Sequence, residues 1–335
     1  MPCWTPHSEA YGEGIATCKM WLNAEGMASG SWRDDDRGWV LDNDPDTGSS
    51  APARTENSQN GLPALDFVKA SHHRLKETHD AETGPADSVF DAISIAVLAT
   101  NHDISGGHQY IVANTAYYAD FSLATSGDPA QLSLRSTSGA GAIIVSSNAA
   151  PTVGGSSSAS DIDASTTGGA TVSYDVPNVL IVNRDTGADE DATVVFGQRI
   201  NGVRGSTLTL SGNGNRQRLN NADMYVGSRS GTSGNEFDGL LYEVIIFWSD
   251  STDLKEKIEG YLQHKFALTS LSSGHTYKNV PPLDGHTLMD GSLANGVLSR
   301  GFIGDMTQKL NLYDCDHGQD YVINEAMETN KRTSF

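Results

Sequence analysis

The sequence predicts an all-β fold, a β-sandwich of the jelly-roll kind that ends in one short helix and a C-terminal extension. Three observations carry this. Short runs rich in β-branched and aromatic residues recur along the chain. Clusters of Gly, Asn, Asp and Ser separate them, and those residues suit turns. A single stretch, between residues 253 and 265, shows helical spacing of its apolar positions.

The strands come first. "DAISIAVLA" (91–99), "QLSLRS" (131–136), "GAIIVS" (141–146), "NVLIVNR" (178–184), "TVVFGQRI" (193–200), "STLTLS" (206–211), "DMYVGS" (223–228) and "LLYEVIIFW" (240–248) each read as one. The Asn-Gly pairs at 60–61, 201–202 and 295–296 are turn chemistry, because both residues tolerate positive φ. Many short strands joined by close turns point to a sandwich or jelly roll. Between Ser122 and Asp175 the composition shifts to Gly, Ala, Ser and Thr. "TVGGSSSASDIDASTTGGATVS" reads either as one long loop or as small-residue strands that stack on a neighbouring subunit.

The helix follows directly on a strand in "FDGLLYEVIIFWSDSTDLKEKIEGYLQHKFAL" (237–268). Asp253 is the predicted N-cap, with Glu256 as its capping-box partner. Leu254, Ile258, Tyr261 and Leu262 fall on one face. Gly260 weakens a helix, yet its missing side chain permits close approach to a sheet. The helix is expected to lie on the sandwich or plug its open end, as a structural element.

Composition narrows the partners. Against 22 Lys and Arg stand 42 Asp and Glu, a net charge of -20 over 335 residues. Such a surface repels phosphate backbones and anionic lipid, which argues against nucleic-acid and membrane partners. No run approaches the roughly 18 apolar residues of a membrane span. "MPCWTPHSEAYGEG" lacks the basic and apolar regions of a signal peptide, and the chain has no N-x-S/T acceptor. The three cysteines, Cys3, Cys18 and Cys315, form no CxxC pair. Their odd count fits reduced thiols, with a Cys3–Cys18 bridge open to a protein that matures outside a cell. The expected organisation is an N-terminal arm (1–15), a jelly-roll domain (16–282) and a C-terminal arm or small β extension (283–335). That last segment has too few apolar residues for a core of its own.

Several segments carry a family resemblance. "KMWLNAEG" (19–26) resembles an opening strand with a Trp-Leu pair, "SWRDDDRGW" (31–39) a Trp-x-Asp-x-x-Gly segment, and "NGLPALDFV" (60–68) an Asn-Gly-Leu-Pro strand entry. "FDGLLYEVIIF" with "EKIEGYLQHKFAL" and "HTYKNVPP" resembles a terminal strand, a Gly-Tyr-Leu helix and a His-Pro-Tyr closing turn. Together they resemble the concanavalin A-like, laminin-G-like jelly-roll domains of bacterial, marine and phage proteins, over residues 16–282. Thr276 stands in place of the closing-turn proline, and Val68-Lys69-Ala70 in place of the usual Asp-Gly. The resemblance implies that the last strand returns beside the first, with the helix packed as a lid. It implies a fold, and a fold hosts many functions.

Residues that could carry chemistry are few. "DNDPDTG" sets Asp42, Asp44 and Asp46 at alternate positions ahead of Gly48, a spacing of hard oxygen donors that can wrap calcium. The glycine is one place late for an EF-hand, the twelfth position is Ala53, and a solvated acidic turn is the plain alternative. Related jelly rolls include glucanases, which need two close carboxylates on one strand face. In "EFDGLLYE", Glu236 and Asp238 share a face, but Glu243 has the wrong parity for a regular strand. Glu243 is expected to be structural, bonded to loop backbone. There is no G-x-S-x-G and no H-E-x-x-H, and the adjacent His72 and His73 would point opposite ways on a strand. No catalytic residue and no cofactor besides calcium is expected. Trp32, Trp39, Tyr110, Tyr117 and Tyr118 could stack on sugars or fill a core.

The expectation is a non-enzymatic structural protein of a phage virion, a capsid decoration or part of a tail fibre or appendage. It would be assembled in the host cytoplasm, contact other virion proteins and form a homo-oligomer. The alternative is a carbohydrate-binding adhesion module for host-surface glycans, with calcium as a candidate aid.

Overall fold

The computed structural model describes residues 5–6, 18–34, 39–43, 49–77, 89–90, 92–102, 108–115, 131–137, 143–148, 159–163, 172–185, 194–205, 208–210, 217–218, 223–228, 236–247, 249–282, 311–313 and 320–322. They build two antiparallel nine-stranded sheets. The spine of the first sheet contains β5 (Ala53–Gln59), β6 (Leu62–Phe67), β20 (Gly239–Phe247), β9 (Ala92–Asn101), β14 (Pro177–Asp185), β15 (Val194–Ile200) and β16 (Val203–Arg204), in that spatial order. Two further strands share edges with these. β1 (Cys18–Asn23) lies beside β6 along β20, and β17 (Leu208–Leu210) lies beside β16 along β15.

The second sheet runs β2 (Met27–Ala28), β3 (Ser31–Asp34), β4 (Trp39–Asn43), β7 (Leu75–Glu77), β19 (Asp223–Val226), β10 (His108–Thr115), β11 (Gln131–Thr137), β12 (Ile143–Asn148) and β13 (Ala159–Asp163). Two small pairs stand apart: β8 (Val89–Phe90) with β18 (Gln217–Arg218), and β21 (Asn311–Tyr313) with β22 (Asp320–Val322). The expected strands are all present. The low-complexity stretch contributes β13 to the second sheet, so it is not a single loop.

Parity explains the two cores. Ile95, Val97 and Ala99 of β9, with Leu180 and Val182 of β14, point between the sheets. They meet Trp32, Trp39, Leu41, Leu75 and Val226 from the second sheet. The intervening Ala96, Leu98, Val179 and Ile181 point the other way and form a second core with the helix. The central strands of the first sheet are therefore buried on both faces, which is why they read as continuous apolar runs rather than alternating ones.

The helix α1 (Thr252–Lys265) lies on the outer face of the first sheet, the first of the two placements expected. Leu254, Ile258, Tyr261 and Leu262 form its buried stripe, as the spacing predicts. The cap differs. Ser251 is the N-cap, its hydroxyl accepting from the Leu254 amide, and Asp253 sits in the first turn. A serine two places earlier serves because it supplies the same oxygen to the third amide along. The other end is closed by the β5–β6 hairpin. Its turn residues Asn60 and Gly61 have φ of 51° and 76°. From that left-handed position the Asn60 side chain donates to the Lys265 carbonyl at 2.8 Å, and Gln59 donates to the Phe266 carbonyl at 2.8 Å. The second Asn-Gly pair, Asn201 and Gly202, turns β15 into β16 with φ of 49° and 80°. The pair at 295–296 lies outside the described residues.

Strand β20 is irregular where it matters. Leu241 faces Ala99 and Glu243 faces Leu98, so Tyr242 is an extra residue, a β-bulge. Leu241 and Val244 point into the main core, while Tyr242 and Glu243 both turn towards the helix. Glu243 is fully buried there. It accepts from the Trp21 indole at 3.0 Å and the Tyr261 hydroxyl at 3.3 Å, and it pairs with the Lys265 ammonium. Its partners are thus side chains of β1 and α1, not the loop backbone the sequence suggests. Burial, then the Glu243 carboxylate, push the Tyr261 phenol well above its ordinary range.

A strap, residues 268–282, doubles back along the helix. A side chain at Gly260 would come within 2.4 Å of the Tyr277 Cβ. Gly260 does permit a close approach, but to this strap rather than to a sheet. Gly260→Ala is expected to lower stability by about 1–3 kcal/mol in urea unfolding, the cost of overpacking exceeding the gain in helix propensity. A stabilised variant would mean that the strap yields freely. Lys265→Met leaves Glu243 buried without its cation and is expected to cost about 3–5 kcal/mol in the same measurement. A loss below about 1 kcal/mol would show that the pair is not closed in solution.

Candidate functional site

The predicted residues divide sharply. Trp32 and Trp39 lie in the main core, and Tyr110 is 2% exposed, so none of the three offers a free ring face. Tyr117 and Tyr118 lie outside the described residues. Cys18 is buried, its thiol directed at the Met20 carbonyl; Cys3 and Cys315 lie outside the described residues.

Asp42 is exposed on the outer face of β4, where it accepts from the Ser31 hydroxyl. Directly across the ladder stands Lys76. Its ammonium lies 5.8 Å from the centre of the Tyr225 ring on β19. Asp44 and Asp46 lie outside the described residues, in a segment whose base is clamped by Asn43 and Ser49. Asn43 donates to the Ser49 carbonyl at 3.1 Å and accepts from its hydroxyl at 3.1 Å. Among the described residues no group of three metal-binding side chains comes together.

Glu236 and Asp238 take part in a polar junction at one end of the sandwich. Four segments meet there: the β6–β7 connection, the lead-in to β20, the end of β9 and the lead-in to β14. The lead-in to β20 crosses from the second sheet to the first. Glu236 bridges to Tyr110 of β10, the Phe237 amide donates to the Gly227 carbonyl at 2.8 Å, and Gly239 pairs with Asn101. Gly227, at φ of 84°, leaves room for the Phe67 ring, which would lie 2.3 Å from any Cβ there. Asp238 ties two other segments. Its carboxylate accepts from the Lys69 amide at 3.0 Å and its carbonyl from the His102 amide at 2.9 Å.

The junction holds two carboxylate–imidazole pairs. His72 Nδ1 meets Glu236 Oε1 at 2.7 Å. Glu236 is 1% exposed and the His72 side chain is 47% exposed. With the carboxylate ionised, Nδ1 donates, and Nε2 is left as the acceptor on a half-exposed ring. His102 Nδ1 meets Asp175 Oδ1 at 2.9 Å, and both groups are well exposed. His72 lies at φ of 51°, so it and His73 are not on a strand. His73 is half-buried, its Nδ1 lying 3.1 Å from the Val68 amide and 3.0 Å from the Asp66 carbonyl. Asn101 ends β9 on the inward face, buried, with neither amide atom of its side chain paired. This arrangement can accept a hydrogen bond from a hydroxyl-bearing ligand at His72. Sequence reasoning noted Glu236 and Asp238 together, on one strand face, and His72 apart from them. Nothing local signals a pairing across 164 residues.

No protein-family model matches the chain, and no curated protein matches it in sequence. Solved structures with a similar fold exist at low identity. One is the enzymatically active domain of tailspike protein 2 from bacteriophage CBA120, at 12% identity and TM-score 0.41, covering 74% of this chain and 32% of that one. Another is the CBM40 of the Ruminococcus gnavus IT-sialidase bound to α2,3-sialyllactose, at 14% identity and TM-score 0.39, covering 61% and 95%. A third is domain 4 of a GH43 extracellular arabinanase from Geobacillus stearothermophilus in complex with arabinotriose, at 13% identity and TM-score 0.42, covering 69% and 92%.

The two partners at the junction differ in burial, and this predicts an asymmetry. His72→Ala removes the half-exposed partner, whose place water can take, and is expected to cost less than about 1 kcal/mol. Glu236→Ala removes a buried acceptor and is expected to cost about 1–3 kcal/mol. Equal shifts of the two urea midpoints would contradict this reading.

Proposed function

We propose that the chain is a non-enzymatic structural component of a phage virion, a capsid decoration or part of a tail fibre or appendage, built on a concanavalin A-like sandwich. One observation carries the non-enzymatic part. The stretch that would hold a glucanase's paired carboxylates is committed to structure. Glu243 is sealed beneath the helix against Lys265, while Asp238 and Glu236 bond to separate groups of the β6–β7 connection. A nucleophile and an acid need to face one substrate from about 5 Å apart. The acidic balance of -20 and the poorly apolar segment 283–335 support a surface-exposed particle component whose arm gains stability by docking on partners.

A second reading is carbohydrate binding for adhesion. The exposed acceptor at His72 favours it, as does the polar row Ser31, Asp42 and Lys76 on the outer face of the second sheet. The two readings are compatible in one appendage.

Light scattering of the purified full-length chain is expected to give a discrete homo-oligomer. A strict monomer would count against the particle role. A glycan array, run with and without a calcium chelator, tests the second reading. Selective binding would establish it, and loss of binding on chelation would assign a cation to Asp42, Asp44 and Asp46. No binding by the folded chain would leave the structural role.

A further inference from the structure

The strap is held at its centre by His275, whose side chain is 1% exposed. The ring sits against Gly202, where any Cβ would come within 2.7 Å of its Cδ2. Both ring nitrogens are used. The Tyr277 amide points at Nδ1 from 3.1 Å, and Nε2 meets Glu259 Oε2 at 2.9 Å. A backbone N–H can only donate, so Nδ1 carries no proton. His275 is therefore the neutral imidazole with its single hydrogen on Nε2, directed at Glu259. That carboxylate already has a full counter-charge. The Arg199 guanidinium grips both of its oxygens at 2.8 Å. Arg199 and His275 converge on the same oxygen, Oε2.

We propose that the strap is a proton-operated latch: adding a second proton to His275 releases residues 268–282 from the helix. The new hydrogen has to occupy Nδ1, where it faces the Tyr277 N–H and removes that hydrogen bond. It also places a cation beside Arg199 in a site closed to water, where like charges are screened least. Attraction to Glu259 is the opposing effect, and Arg199 has already neutralised that charge.

The other groups around the ring do not act as the sensor. Burial lowers and Glu259 raises the Arg199 guanidinium, which ends above its ordinary value and stays charged. Burial, with Asp253 and Glu256 nearby, pushes the Tyr277 phenol up to about 12. His264 donates from Nε2 to the Tyr277 carbonyl at 2.9 Å, and a second proton on its Nδ1 leaves that bond intact. Glu256 accepts from the Thr276 hydroxyl at 2.7 Å and lies 3.8 Å from Arg199. The Lys278 ammonium donates to the Leu271 carbonyl within the strap. Beyond Pro282 the chain continues into residues 283–335.

Hydrogen exchange read by mass spectrometry on the full-length chain tests this. After correction for intrinsic rates, protection of residues 268–282 is expected to fall about tenfold or more between about pH 7.5 and about pH 5, the range over which histidine changes charge. Protection of β9 should hold. His275→Gln keeps a donor for Glu259 and cannot titrate, so its strap should respond little to pH. Should that variant fail to fold, imidazole nitrogen NMR of the natural chain decides. A closed strap with Nδ1 protonated would overturn the proposal. So would strap protection that is equal at both pH values, or a loss shared equally by β9.

Discussion

The interaction on which the rest depends is the burial of Glu243. A carboxylate removed from water must be matched by charge and hydrogen bonds, or the fold does not close around it. Three partners meet this need, and they come from two elements. Trp21 brings β1, and Tyr261 and Lys265, one helical turn apart, bring α1. A well-packed apolar cluster could stabilise the same contact as well or better, since removing two charges from water is costly. What the carboxylate adds is position. It accepts only where the helix is rotated and advanced to present both Tyr261 and Lys265. The bulge at Tyr242 belongs to the same device, for without the extra residue two neighbours on one strand could not both face the helix.

The other ties on the helix repeat this logic. Asn60 and Gln59 close its C-terminal carbonyls from a hairpin more than 200 residues away. Arg199 reaches Glu259 from β15. Gly260 admits Tyr277. The segments that resemble the laminin-G-like domains, the Trp-Leu strand, the Asn-Gly-Leu-Pro entry and the Gly-Tyr-Leu helix, all converge on this one helix. Their shared pattern reports how a sheet is covered. It leaves the junction at the sandwich end and the outer face of the second sheet free to differ.

Strand identity was legible because β-branched runs and Asn-Gly turns act locally. The two-faced burial of β9 and β14 was legible as unbroken apolar runs. Three things were not. Strand parity around Glu243 failed because a bulge follows from packing on the far side of the sheet and leaves no mark in the sequence. The cap moved to Ser251 because Asp and Ser offer equivalent oxygens, and backbone geometry chooses between them. The pairing of His72 with Glu236 needed the crossing between sheets at Phe237, which only the assembled topology creates. Asp42 illustrates the limit from the other side. Its spacing from Asp44 and Asp46 suggests a cation, yet a lysine on the adjacent strand stands opposite it.

The pairing of β1 with β20 has a temporal consequence. Trp21 and Glu243 are separated by 222 positions, and β20 keeps half of one edge empty until β1 arrives. Contacts so distant along the chain make closure slow, because the loop must lose its freedom before any bond rewards it. During synthesis the opening strand leaves the ribosome long before its partner exists. It waits as an apolar, unpaired segment while the second sheet is still being made. Such segments are where a large β protein is most exposed to misassociation with its neighbours. The order of the strands thus makes this seam a join between segments 222 positions apart at Trp21 and Glu243, and the helix that follows β20 packs across it through Tyr261.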